Sequence, residues 1–148
     1  MATDAAKLLL IEDDPFLQDW IGTLREEHFP NVEVVQISSE REFLLRKSEL
    51  ARTGFKGIIL DLMLPWEDGV DMDAKEFADP RGEYFEAGIR ILEDIAQTPG
   101  LAESSILIHT VNDRNAVELP RVNKLATSFL RKDEPDHQLI RWINRHVF

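Results

Sequence analysis

Four short apolar runs constrain this chain more than anything else in it. They are Lys7-Leu8-Leu9-Leu10-Ile11, Gly57-Ile58-Ile59-Leu60, Ser105-Ile106-Leu107-Ile108-His109 and Thr127-Ser128-Phe129-Leu130-Arg131. Each is short and centred on apolar residues, only Phe129-Leu130 in the fourth, and stretches of helical periodicity separate them. Such runs read as parallel strands buried on both faces. They lead in turn into Glu12-Asp13-Asp14, Asp61, Thr110 and Lys132. In an open parallel sheet, ligands bind beyond the carboxyl ends of the strands. Carboxylates, a hydroxyl and an ammonium from four separate runs are therefore expected to converge on one site.

The intervening stretches supply the helices. The first strand is 7–11. Pro15 sits where a first helical turn tolerates it, with Asp13 and Asp14 as cap candidates. Phe16, Leu17, Trp20, Ile21 and Leu24 keep helical spacing to about His28. Pro30-Asn31 is a turn before a second strand at 32–37. Ser38 or Ser39 caps a helix that carries Phe43, Leu44, Leu45 and Leu50 and ends near Gly54, and the third strand is 57–62.

After Leu64-Pro65 the rhythm breaks. Residues 66–87 form a stretch of 22 with eight acidic and two basic side chains and no clean periodicity. A helical pattern resumes at 88–95 and stops at Pro99-Gly100, and the fourth strand is 105–110. The helix over 112–126 is interrupted by Pro120, so it is short or begins late. A fifth strand at 128–131 precedes a last amphipathic helix marked by Leu139, Ile140, Trp142 and Ile143. Five strand–helix alternations predict an α/β fold, a parallel sheet with helices on both faces joined by right-handed crossovers.

A chain of 148 residues is long enough for one domain with a real core. Its net charge of −11 argues against unaided binding to nucleic acid or to an anionic membrane, and it suits a cation site. There is no cysteine, so neither a disulfide framework nor a thiolate site is available. No run reaches membrane-spanning length, and residues 1–6 lack a basic region followed by an apolar one. A cytoplasmic protein is the expectation.

Adjacent carboxylates such as Glu12 and Asp13 repel unless a cation sits between them and a third carboxylate. Magnesium suits such a place, being a hard ion that takes oxygen ligands and keeps several waters. Asp14 is better placed than Asp13 to cap the helix that follows. Asp61 ends an apolar strand, where a carboxylate is costly to bury unless paired or metal-bound. Beside magnesium it can act as a nucleophile toward phosphorus and form an acyl phosphate. Thr110 can donate its hydroxyl to one phosphoryl oxygen and Lys132 can pair with another. Taken singly, each of these residues is explained as well by capping, packing or solvation. Four fitting residue types at four strand ends are not. His28, His109, His137 and His146 are scattered without metal-ligand spacing and read as surface or filler residues.

These residues resemble a known family, the receiver domains of two-component response regulators. Leu8-Leu9-Leu10-Ile11-Glu12-Asp13-Asp14-Pro15 is similar to the family's first strand and acidic pair. Asp61-Leu62-Met63-Leu64-Pro65 is similar to its phosphoacceptor segment and the loop after it. Thr110 and Lys132 match the switch hydroxyl and the lysine, and Phe129 matches the aromatic switch position. The resemblance spans 7–148 apart from 66–87, with 1–6 as a tail. It implies the flavodoxin-like (CheY-like) five-stranded parallel sheet, order 2-1-3-4-5. It also implies that Asp13 and Asp61 hold magnesium directly, Glu12 acts through water and the Met63 carbonyl is a backbone ligand. On this reading Asp61 takes a phosphoryl group from a histidine kinase or histidine phosphotransfer protein. Thr110 and Lys132 then move to the new charge, Phe129 follows inward, and affinity for a downstream effector or a missing output domain changes.

The chain departs from the family pattern in three places. Val111 follows Thr110 where a small residue is usual. Asp133-Glu134 intervene before Pro135 where proline usually follows the lysine directly, so the resemblance does not set the geometry of the loop carrying Lys132. The third departure is the acidic insertion 66–87, whose Asp68, Asp71 and Asp73 lack the residue order of a calcium loop. It reads as a solvated loop that modulates access to Asp61 or choice of partner. These departures favour an alternative with the same fold, a pseudo-receiver that binds a partner without phosphorylation. A third reading, a magnesium-dependent aspartyl phosphohydrolase, lacks the Asp-x-Asp pattern, since Met63 stands two residues after Asp61. The chain is therefore expected to be a signalling domain and not a dedicated enzyme.

Overall fold

The computed structural model describes residues 5–67, 87–110 and 128–148. In chain order the elements are β1 (Lys7–Ile11), α1 (Pro15–His28), β2 (Glu33–Ile37), α2 (Glu40–Thr53), β3 (Gly57–Leu60), α3 (Ala87–Ala96), β4 (Ser105–Thr110), β5 (Ser128–Arg131) and α4 (Asp136–His146). The strands form one sheet in the order β2-β1-β3-β4-β5, and every neighbouring pair is parallel. This is the flavodoxin-like order expected from the sequence. The helix expected over 112–126, Val111 and all but the ends of the insertion lie outside the described residues. Among the described residues no helix is long and apolar enough to cross a membrane.

The central strands β1, β3 and β4 are buried on both sides, yet their side chains still sort with a period of two. Leu9 and Ile11 of β1, Ile58 and Leu60 of β3, and Ile106 and Ile108 of β4 join a core with Phe43 and Leu50 of α2 and Ile91, Leu92 and Ile95 of α3. Leu8 and Leu10, Ile59, and Leu107 join the opposite core with Ile21 and Leu24 of α1 and Leu139, Trp142 and Ile143 of α4. Helices α2 and α3 therefore cover one face, and α1 and α4 cover the other. Burying a single Leu or Ile side chain contributes about 1.5–3 kcal/mol, so the two cores hold the sheet rigid from both sides.

Helix ends follow local chemistry. Asp14 caps α1 by accepting from the Phe16 amide at 2.9 Å, and Pro15 occupies the first turn. Of the two serines before α2, Ser39 is the cap; its hydroxyl accepts from the Glu42 amide at 3.1 Å, while the Glu42 carboxylate accepts from the Ser38 amide at 2.8 Å. Gly54 ends α2 in the left-handed region, φ 79°, which glycine enters without steric cost. Strand β3 stops at Leu60, two residues short of the expected 57–62. Its partner β1 has ended, and the Asp61 carboxylate already accepts from the Met63 amide at 3.1 Å, starting a turn.

Close approach fixes one glycine. A Cβ on Gly88 would lie 2.3 Å from Leu62 Cα and 2.5 Å from the Asp61 carbonyl oxygen, so α3 rests directly on the backbone after β3. Gly88→Ala is expected to lower stability by about 1–3 kcal/mol through overpacking against backbone. Gly22→Ala in α1, where a Cβ meets nothing within 4 Å, should raise stability by roughly 0.5–1 kcal/mol. Urea unfolding of the two variants checks the contrast, and equal effects would show that α3 can shift off Leu62.

Candidate functional site

Strand register assembles the site. Ile11 of β1 pairs with Leu60 of β3, and Leu60 pairs with Ile108 of β4. The next residue on each strand is Glu12, Asp61 and His109. The Asp61 amide donates to the Ile11 carbonyl at 3.0 Å and the Glu12 amide to the Ile37 carbonyl at 2.9 Å, so the ladder continues into these positions. On the outer side Thr110 pairs with Arg131, and the Lys132 amide donates to the Thr110 carbonyl at 2.9 Å. The side chains at the ends of β1, β3, β4 and β5 thus start from one edge of one sheet.

They meet there. The Lys132 ammonium lies 2.5 Å from Glu12 Oε1 and donates to Asp61 Oδ2 at 2.7 Å. Carboxylate oxygens of Glu12, Asp13 and Asp61 all lie within 4.8 Å of one another. Glu12 and Asp61 are buried and Asp13 is half-buried. Glu12 Oε2 accepts from the Asp13 and Asp14 amides, and the Gln18 amide group of α1 donates to the Glu12 carbonyl at 2.6 Å. Thr110 is wholly buried at the end of β4. Met63 meets Asp61 through its amide, and Phe129 of β5 packs against the α2/α3 core.

The loop carrying Lys132 is shaped without proline directly after the lysine. The Glu134 amide donates to the Arg131 carbonyl at 3.2 Å, the Arg131 amide to the Glu134 carboxylate at 3.0 Å, and the Arg131 guanidinium to Asp133 at 2.7 Å. Asp133 and Glu134 thus close their own turn, and Lys132 reaches Asp61 from it.

Charge in this cluster is only partly balanced. With all three carboxylates ionised against one ammonium, three minus one, the cluster would carry two negative charges, and its buried acids resist that ionisation. Burial, and then the Asp61 charge, push the Glu12 carboxyl up to about 8, against the pull of Lys132. Asp13 is raised for the same two reasons in the same order. Burial works against the Lys132 ammonium, but Asp61 and Glu12 outweigh it and its pKa is raised. An all-oxygen donor set whose carboxyls ionise fully only beside added positive charge fits a hard divalent cation such as magnesium.

One residue of the site was misread in the sequence. His109 is 3% exposed and stacks on Trp20 of α1, with ring centroids 6.0 Å apart and planes 17° from parallel. It follows Leu107 on the α1/α4 face, next in register to Asp61. Its place in an apolar strand, in step with Leu107, was the signal that would have found it. Burial, and then the Lys132 charge, push its imidazole down to about 4, so a neutral ring lies beneath the acidic cluster. The other three histidines stay at or near the surface.

Known proteins place this arrangement. A scan against models of protein families gives no match, and a search of curated proteins also gives none. Solved structures do match. The receiver domain of a sensor histidine kinase from Pseudomonas aeruginosa, described with magnesium coordinated in its active-site cleft, is 17% identical over 97% of this chain and 98% of that one, with a TM-score of 0.66. The signal receiver domain of a putative Luxo repressor protein from Vibrio parahaemolyticus is 20% identical over 96% and 89%, with a TM-score of 0.68. The BeF3-activated receiver domain of RstA from Klebsiella pneumoniae is 21% identical over 95% and 97%, with a TM-score of 0.66. At such identities the likeness is one of fold, and the fold is that of response-regulator receiver domains.

A buried imidazole held at about 4 against 6.5 in the unfolded chain has a definite sign. Its folded pKa is depressed, so its stabilising contribution is complete above 6.5 and is lost as pH falls toward 4. Wild type should lose about 2 kcal/mol between pH 7.5 and pH 5 through this group alone. His109→Phe keeps a ring on Trp20 and should not show that part of the loss. Urea unfolding of both proteins at the two pH values measures the difference, and parallel losses would exclude His109 as its source.

Proposed function

We propose that this chain is a receiver that accepts a phosphoryl group on Asp61 from the phosphohistidine of a histidine kinase or phosphotransfer protein in the cytoplasm. The observation that carries the proposal is the Lys132 ammonium between Glu12 Oε1 and Asp61 Oδ2, with Asp13 closing the carboxylate cluster. A neighbour of the same fold with magnesium in its active-site cleft supports the choice of ion.

Glu12, Asp13 and Asp61, with the Met63 carbonyl, are the residues to hold magnesium, which when bound neutralises phosphoryl oxygens. Asp61 supplies the nucleophile. One of its carboxylate oxygens bonds to phosphorus, and the bond from phosphorus to the donor's ring nitrogen breaks. That nitrogen keeps the electron pair and takes a proton from solvent. Lys132, already against Asp61, meets the developing charge on the phosphoryl oxygens without crossing open water, and the Thr110 hydroxyl donates to another. The Met63 amide bond to Asp61 Oδ1 holds the carboxylate in one orientation. Phe129 then turns toward the space Thr110 vacates, and the changed surface around β5 and α4 alters affinity for an effector.

Two measurements test this reading. In magnesium at ten times its dissociation constant, wild type should gain about 1.4 kcal/mol of stability, and Asp13→Ala should gain far less; a thermal melt that ignores magnesium in both removes the metal assignment. With magnesium and acetyl phosphate, intact mass should show one added phosphoryl group on wild type and none on Asp61→Asn, which keeps the shape but lacks the nucleophile. Equal labelling of both proteins would move the site elsewhere. A wild type that no donor or kinase labels would turn the reading to a phosphorylation-independent interaction module.

A further inference from the structure

Glu40 is 1% exposed, on the first residue of α2, and it accepts two hydrogen bonds from Arg90 of α3: Nε to Oε2 at 2.9 Å and Nη2 to Oε1 at 2.7 Å. Burying a bidentate ion pair is a costly way to gain stability, because desolvation offsets much of the attraction. Its position suggests what it does. From the same turn of α2, the Glu40 amide donates to the Pro65 carbonyl at 3.0 Å and the Arg41 amide to the Trp66 carbonyl at 2.7 Å. The Arg41 guanidinium also meets Glu67 at 2.9 Å. From the turn of α3 that carries Arg90, the Gly88 amide donates to the Leu62 carbonyl at 3.0 Å, and the Gly88 Cα rests against the Leu62 backbone.

We propose that the Glu40–Arg90 pair is a positioning device for Asp61. It closes a ring of contacts from Leu62 through Pro65, Glu40, Arg90 and Gly88 back to Leu62, and so clamps the base of the insertion. The proposal rests on the reading of Asp61 as phosphoacceptor.

The need for such a clamp follows from the chain. A short connection from a strand to its helix restricts the residues after the strand by its length alone. Length alone does not fix the path of a longer connection, since added residues cost little extra closure entropy. Residues 61–66 would then be positioned only by what grips them. They include Asp61 and Met63, whose geometry the phosphoryl chemistry uses, and a displacement of about 1 Å at a reacting group can cost on the order of a hundredfold in rate. The chain grips the outgoing end with α2 and the returning end with α3, and the bidentate fork locks the two helices at a common level. Lysine cannot make that fork.

The test uses the full chain with Arg90→Lys and with the double substitution Glu40→Gln/Arg90→Gln, which removes both charges of the pair together. Both are studied well below their melting temperatures. Hydrogen exchange without any phosphodonor reads the clamp itself. The Met63 and Gly88 amides should exchange at least tenfold faster in the double variant, with a smaller change in Arg90→Lys. The amides of β1 should change only as global stability changes. Acetyl phosphate labelling at saturating magnesium should slow tenfold or more in the double variant and less in Arg90→Lys. Wild-type exchange at Met63 and Gly88, or a wild-type labelling rate, in a folded double variant would overturn the proposal. If the double variant fails to fold, Arg90→Lys decides by the same two readings. If wild type itself takes no phosphoryl group, the reading of Asp61 fails, and the exchange arm still accepts or rejects the clamp.

Discussion

One ammonium placed between two buried carboxylates is the interaction on which the rest of this structure turns. Lys132 bridges Glu12 and Asp61 at 2.5 and 2.7 Å. It can do so only because β1, β3 and β5 all run the same way and end at the same edge of the sheet. Antiparallel neighbours would have put one of those ends on the far side. The cost is high, since burial disfavours the charges of Glu12, Asp13 and Lys132. The Glu12 carboxyl, pushed up to about 8, is where that cost shows most clearly. A buried cluster of three acidic side chains around one ammonium fits a divalent ion, whose charge would offset the repulsion among the carboxyls.

Two devices keep that cluster in place from either face of the sheet. On the α1/α4 face, His109 on Trp20 and Gln18 on the Glu12 carbonyl form a floor that carries no charge of its own. A cationic ring there would add to the positive charge of Lys132 and compete for the carboxylates. On the α2/α3 face, backbone bonds from the start of α2, the close approach of Gly88 and the Glu40–Arg90 pair hold the residues after Asp61. The segment after Asp61 is therefore held by contacts of its own and does not depend on the length of the connection, which costs little once both ends are pinned.

How much of this was legible beforehand differs between fold and site. Strand and helix positions followed from local signals. The apolar runs, Pro15 after Asp14, the serines before α2 and Gly54 after it all act within a few residues, and the observed boundaries depart from them by one or two positions. The end of β3 was misplaced because a strand stops where its partner stops, which depends on register with β1 and not on Leu62 itself. Glu12, Asp13, Asp61, Thr110 and Lys132 were visible because each ends or follows an apolar run, whereas Met63 and Phe129 came only from the family resemblance. The buried His109 passed as filler because nothing within its own strand says that Trp20 lies opposite.

By itself, the sequence determined the order of strands and helices, their approximate limits, and the presence of carboxylates, hydroxyl and lysine at strand ends, because these depend on patterns a few residues long. Only the tertiary structure decided that Lys132 touches both Glu12 and Asp61 without proline directly after it, that His109 is neutral beneath them, and that Glu40 pairs with Arg90 fifty residues away. Those facts are distances between side chains on different elements. They are set by strand register and helix packing, in which every residue of the core takes part, and no local pattern encodes them.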